Sequence, residues 1–189
     1  MAASDGPAAP LIIVISGPGG VGKGTIVNAL VERDPKLWLS RSWTTRQQRP
    51  SEPDTAYVFT DEPSFERRID QGGFLEWTRF LDNYYGTPMP DGVDGRDVVL
   101  EIEVDGAQQV KRLQGDAILI FVLPPSPAEQ QRRLRGRGDP EDMIDERLRK
   151  ALDEEPVGLA LADHVVVNDN LDRTVEELLH IIGGHRRTA

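Results

Sequence analysis

Between an apolar run, Leu11–Ile15, and a segment with helical spacing, Thr25–Arg33, the chain reads Gly17-Pro18-Gly19-Gly20-Val21-Gly22-Lys23-Gly24-Thr25. A strand that passes through a glycine-rich turn into a helix, with a lysine at the join, is the context a phosphate-binding loop requires. Glycines let the backbone wrap closely enough to aim several N–H groups at one phosphate chain. The helix N-terminus adds partial positive charge there. Lys23 adds a full charge that can follow phosphoryl oxygens as their charge changes. In the usual loop a Ser or Thr follows the lysine directly and its hydroxyl meets Mg²⁺. Here Gly24 intervenes and Thr25 comes next, so direct ligation of the metal by protein is not expected.

The loop demands an open α/β scaffold, and the rest of the chain supplies the pieces. Leu11–Ile15, Val98–Ile102, Ile118–Leu123 and Val165–Val167 are short, apolar and rich in β-branched residues. Each reads as a strand buried on both faces. Helical segments alternate with them: Thr25–Arg33, one capped by Asp105 and running to about Leu113, one opened by Pro127, and Leu171–Ile182. The order predicts a parallel sheet flanked by helices. Glu101 and Glu103 close the second run, where an acid at a strand's C-terminal end handles Mg²⁺ through water. Two stretches interrupt the rhythm. Residues 41–87 are polar and aromatic, too long for a structureless loop, and read as a small subdomain. Residues 125–153 are charged helix formers around Gly136 and Gly138, and read as a hinged helical flap. Residues 1–9 read as a disordered tail.

Composition narrows the partners. The formal net charge is −10, which argues against a nucleic-acid partner, and no apolar stretch approaches the ~20 residues of a membrane span. The absence of cysteine removes thiolate metal sites and agrees with a cytoplasmic location. The positive charge lies in two islands. Residues 35–51 carry Lys36, Arg41, Arg46 and Arg49 with no acid, and residues 126–137 carry Arg132, Arg133, Arg135 and Arg137 against Glu129. Such islands on an acidic chain suit small anions held in a cleft. Trp43, Trp77 and Tyr84 are expected to be packing residues.

In residues 42–87, Arg46 and Arg49 offer paired guanidiniums and Tyr57 and Tyr85 offer hydroxyls, a combination fit for a second phosphate dianion. Glu76, in Phe74-Leu75-Glu76-Trp77, can accept from two adjacent N–H groups on one base edge, a pair that guanine presents and adenine does not. The successive elements GPGGVGKGT, SWTTRQQR, FLEW, NYYGT, LEIEVDGAQQV, LPPS, RRLRGRG and HVVVNDNLD closely resemble the guanylate kinase family, in the family's order, from Leu11 to Ile182. The glycine-then-threonine ending of the loop is similar to that of adenylate kinases.

The guanylate kinase resemblance implies a P-loop fold with a parallel core (10–40, 88–124 and 154–184), a GMP-binding subdomain (41–87) and a lid (125–153). It implies transfer of the γ-phosphoryl of Mg·ATP to GMP, with deoxy-GMP as a further acceptor. Gly17 to Thr25 and Asn168 would hold ATP. Arg46, Arg49, Tyr57 and Tyr85 would hold the GMP phosphate, and Ser42, Glu76, Thr87 and Glu103 the guanine. Lys23, Arg46, Arg137 and Arg147 would neutralise the transferred group, with Arg133 in support. Mg²⁺ would arrive with ATP, near Thr25 and Glu101. The implied partners are ATP and GMP alone, for a monomer or homodimer. Glu103, Asp105 and Ala56 stand where the family usually has Asp, Gln and Asp. The other readings are a related kinase acting on AMP or a ribose bisphosphate, and a catalytically silent interaction module of the same fold.

Overall fold

The computed structural model describes residues 10–49, 52–80, 82–90 and 93–187; the tail expected at 1–9 lies outside them. Five parallel strands form the main sheet, in the order β2-β7-β1-β8-β9: β1 (Ile12–Ser16), β2 (Leu37–Ser40), β7 (Asp97–Glu101), β8 (Ile118–Leu123) and β9 (His164–Val167). The strand period of two sends successive side chains to opposite faces. Ile13, Ile15, Val99, Ile118, Ile120 and Val122 pack towards α1 (Lys23–Arg33) and α6 (Leu171–Arg186). Val14, Val98, Leu100, Leu119 and Phe121 pack on the other side with α3 (Val104–Leu113). Both faces are therefore buried, which explains the unbroken apolar runs in the sequence.

Four of the five strands sit within one residue of the expected runs. The strand Leu37–Ser40 was not expected. It is an edge strand of four residues between Lys36 and Arg41, with only Leu37 and Ser40 fully buried, so it carries neither a run nor an alternation. Three helix bounds also differ. α1 starts at Lys23 rather than Thr25, and α6 continues past Ile182 to Arg186. Asp105 does not cap α3: the N-cap position is Glu103, and Asp105 lies in the first turn, where its charge still meets the positive helix end. At its far end α6 is tied down by Arg186, whose guanidinium donates to Asp34 and Asp97 at 2.6 Å each.

Four further strands form a second sheet, in the order β4-β3-β6-β5: β3 (Trp43–Thr44), β4 (Val58–Phe59), β5 (Phe74–Phe80) and β6 (Asn83–Pro88). The helix α2 (Glu62–Asp70) packs on this sheet through Phe65, which stacks on Phe74 and Tyr84 with centroids 4.5 and 5.1 Å apart. Trp43 meets Phe74 edge-on beneath Arg68. Trp77 touches Tyr84 but keeps 40 % of its surface in solvent, so it packs less fully than expected. Beyond β8, α4 (Pro127–Gly136) and α5 (Glu141–Leu161) join through Gly138, whose φ of +82° suits a residue without a side chain. α5 is one helix across residue 153, so no break in secondary structure marks that end of the flap.

α5 crosses the main sheet at a glycine. A Cβ at Gly158 would lie 2.2 Å from the ring of Phe121, which is itself fully buried. Gly158→Ala should therefore destabilise the fold by about 1–3 kcal/mol, the usual range for overpacking, despite the gain in helix propensity. Adding Phe121→Leu should recover part of that loss in denaturant unfolding. Unchanged stability in the single variant would show that the ring can turn aside.

Candidate active site

The ends of β1, β2, β7 and β9 open onto one cleft of about 670 Å³. The loop after β1 shapes its floor. Gly17 lies so close to β8 that a Cβ would sit 2.2 Å from the carbonyl oxygen of Val122, and its φ is +151°. A residue with a side chain cannot occupy that position. Gly22, with φ +92°, is the N-cap of α1. The Lys23 side chain folds back under the loop, donating to the Gly17 carbonyl at 2.5 Å and facing both Glu103 oxygens at 3.4 Å.

From outside, α4 braces the loop. Gln130 Nε2 donates to the Gly19 carbonyl at 2.7 Å. Arg133 donates to the Val21 and Asn168 carbonyls and to Glu129. Asn168 Nδ2 adds a bond to Val21 at 2.7 Å. Arg133 borders the cleft, and each of its three nitrogens takes part in this bracing. Gly17 and Val21 do not line the cleft; their carbonyls hold the residues that do.

Behind Tyr57 and Tyr85 lies a smaller recess, lined by Ser42, Glu76, Glu103 and Gly106 among others. Glu76 is 4 % exposed. Its Oε1 accepts from the Thr87 hydroxyl at 2.5 Å and the Thr87 amide at 3.1 Å. Thr87 itself is fully buried and meets the recess only through Glu76. The carboxylate rests on α3 at Gly106, where a Cβ would come within 2.7 Å of Oε2. Burial pushes the Glu76 carboxyl up to about 7, against the two Thr87 bonds that favour its ionised form.

Between loop and recess the arginines converge. Arg46 donates to both oxygens of Glu52, at 2.8 and 2.9 Å, and Arg49 donates its backbone amide to the same carboxylate at 3.1 Å. From the flap, Arg137 pairs with Asp139, and Arg147 Nε lies 3.5 Å from it. Burial, and then the charges of Arg137 and Arg46, lower the pKa of Arg49, so these guanidiniums lie near enough to repel one another.

Comparison with known proteins gives the constellation a lineage. The family model described as guanylate kinase matches residues 10–184. The guanylate kinase of Synechococcus sp. (strain CC9902) is 46 % identical over 88 % of this chain and 92 % of its own. That of Caldanaerobacter subterraneus is 45 % identical over 91 % of this chain and 86 % of its own. In three dimensions, the guanylate kinase of Anaplasma phagocytophilum superposes with a TM-score of 0.78 at 28 % identity, covering 95 % of this chain and 87 % of that one. This chain belongs to the guanylate kinase family.

Set against the site residues expected of a guanylate kinase, the cleft and recess together gather Lys23, Ser42, Arg46, Arg49, Tyr57, Glu76, Tyr85, Glu103, Arg137, Arg147 and Asn168. Sequence reasoning missed the carboxylates that hold the arginines. Glu52 follows Arg49 by three positions, and Asp139 follows Arg137 by two. Each is an acid placed just after a basic island, which was the available signal. Gln130, a polar residue at 4 % exposure, had no signal beyond its place in a helix.

The raised Glu76 carboxyl makes stability depend on pH. Its native value exceeds that of an unfolded glutamate, about 4.3, so the native state binds more protons between those values. The contribution to stability is fully present below about 4.5 and is lost as pH rises through about 7. Glu76→Gln should remove that loss. Its stability relative to the parent should climb by about 1–3 kcal/mol between about pH 4.5 and pH 8 in denaturant titrations. A gap that stays constant would place the Glu76 carboxyl in the ordinary range.

Proposed function

We propose that the chain catalyses transfer of the γ-phosphoryl of ATP to the phosphate of GMP, giving ADP and GDP, with deoxy-GMP as a further acceptor. The observation that carries this reading is the convergence of Arg46 and Arg49 from one side and Arg137 and Arg147 from the other, between a lysine-bearing glycine loop and a recess ending in a buried carboxylate. Two polyanions meeting there repel each other, and cations between them offset the repulsion.

In this reading ATP lies on the loop, its phosphates on the backbone N–H groups of Gly19, Gly20 and Gly22 to Thr25 and on the Lys23 side chain, with Asn168 towards the adenine. The GMP phosphate lies on Arg46, Arg49, Tyr57 and Tyr85. Glu76 accepts from the paired N–H groups of guanine, helped by Ser42 and Glu103, and Thr87 holds Glu76 in place. The acceptor oxygen is already anionic, so no general base is needed. It attacks the γ-phosphorus in line, the bond to the β,γ-bridging oxygen breaks, and the electron pair leaves on ADP. Arg137 and Arg147 neutralise the equatorial oxygens, while Arg133 holds the loop that holds ATP. Glu52 and Asp139 occupy the cations until phosphate replaces them.

The residues present suit magnesium arriving with the nucleotide. Glu101 brings a half-buried carboxylate to within 3.7 Å of where a Cβ at Gly24 would stand, and the exposed Thr25 borders the cleft. Both offer the hard oxygen ligands that magnesium takes. Glu101 and Thr25, both through water, would hold the ion, which would supply charge neutralisation on the phosphates. The net charge of −10 supports nucleotides rather than nucleic acid as the ligands. Among the described residues no helix is long and apolar enough to cross a membrane. We take the enzyme to act in the cytoplasm as a monomer or homodimer.

The test is an acceptor panel of GMP, deoxy-GMP, AMP and a ribose bisphosphate, with ATP and Mg²⁺, read by ADP release. GMP should give the highest kcat/KM, and Lys23→Met should lower kcat at least ~100-fold, the scale of losing a major transition-state contact. Preference for AMP or the ribose bisphosphate would reject the acceptor assignment. Near-normal turnover in Lys23→Met would reject the role of the lysine.

A further inference from the structure

Phe80 ends β5 and borders the cleft without a hydrogen-bonding group of its own. Its ring meets three residues from two different parts of the molecule. On the acceptor side it lies edge-on to Tyr85, with centroids 6.2 Å apart and planes at 85°. On the flap side, Lys150 Nζ sits 3.6 Å from the ring centroid, and the Arg147 guanidinium carbon lies 5.9 Å away. Arg147 and Lys150 are three residues apart on α5, so they share one face of that helix. Both distances are within the range over which a cation is drawn to an aromatic face.

Besides the ring, each of these cations faces one carboxylate. Arg147 Nε is buried without a hydrogen-bond partner, and its contact with Asp139 at 3.5 Å is one of charge alone. Lys150 faces Glu154, one turn further along α5, at 3.4 Å. Glu154 is 8 % exposed and the facing oxygen makes no hydrogen bond. The aromatic face thus shares with Asp139 in fixing where Arg147 points.

We infer that Phe80 is a positioning residue for phosphoryl transfer, whose ring, held between Tyr85 and Lys150, carries occupancy of the acceptor-phosphate site to the orientation of Arg147. The inference rests on the ATP:GMP reading above. A phosphate on the Tyr85 hydroxyl fixes that ring, the Tyr85 ring fixes the edge of Phe80, and the face of Phe80 sets the two α5 cations. Phe80 touches neither nucleotide in this scheme. Its loss should therefore appear in turnover and leave the affinity for either substrate nearly intact.

The experiment is steady-state kinetics on Phe80→Leu, Phe80→Tyr, Lys150→Met and the double variant Phe80→Leu/Lys150→Met, alongside the parent enzyme. Phe80→Leu keeps an apolar side chain and removes the π-face. It should lower kcat about tenfold, the scale of a desolvated cation–π contact, with KM for GMP and for ATP within about twofold to threefold. Phe80→Tyr should restore most of the turnover. Lys150→Met should lower kcat less, and the double variant should be no slower than Phe80→Leu, because both changes break one contact. Melting curves identify any variant that fails to fold, in which case Lys150→Met and Phe80→Tyr still decide the matter. Parental turnover in Phe80→Leu, a loss confined to KM, or losses that multiply in the double variant would each overturn the proposal. A parent enzyme that does not phosphorylate GMP would instead overturn the functional reading on which it stands.

Discussion

Six cationic side chains line one cleft, and their mutual repulsion is the constraint around which this site is arranged. Like charges held close together repel one another in a partly desolvated site, so each cation has an anionic companion. Arg46 and Arg49 have Glu52, Arg137 and Arg147 have Asp139, Arg133 has Glu129, and Lys23 has Glu103. These carboxylates sit beside the arginines and lysine that would face phosphate during turnover. Exchange of one anion for another leaves the local charge nearly balanced, so binding need not create a new electrostatic environment.

The scaffold supports that exchange from three directions. The parallel sheet brings the glycine loop, Glu101, Ser42 and Asn168 to one edge. The small mixed sheet presents Glu76, Tyr85 and Phe80 from two adjacent antiparallel strands, β5 and β6. The flap helices reach over both, and they are fixed at the loop by Gln130 and Arg133 rather than by apolar packing alone. The glycines at 17 and 106 permit close approach, one of β8 to the phosphate loop and the other of α3 to Glu76. A side chain at either would push apart the surfaces that form the site.

How much of this could be read in the sequence depended on whether a residue's signal was local. The strands of the main sheet were legible because burial on both faces leaves uninterrupted β-branched runs. Leu37–Ser40 was not, since a four-residue edge strand among basic residues leaves no pattern. The phosphate loop was legible because each glycine and the lysine have a role that spacing alone conveys. Glu76 was legible as a carboxylate of the site, but its raised pKa was not, because that arises from burial with α3 closing over it at Gly106, a contact thirty residues away in the chain. Glu52 and Asp139 were overlooked since acids beside basic islands are common, and only the folded chain shows which guanidinium each one holds. The contact of Phe80 with α5 was equally invisible, because it joins residues seventy apart.

The most direct measurement is a crystal structure with adenosine and guanosine joined 5′ to 5′ through five phosphates, a ligand that spans donor and acceptor sites at once. The acceptor-side phosphate should lie within hydrogen-bond distance of Arg46, Arg49, Tyr57 and Tyr85, with Glu52 displaced from Arg46 and guanine on Glu76. A phosphate chain running elsewhere, with Arg46 still on Glu52 and the recess at Glu76 unfilled, would contradict the end-to-end arrangement of the two nucleotides.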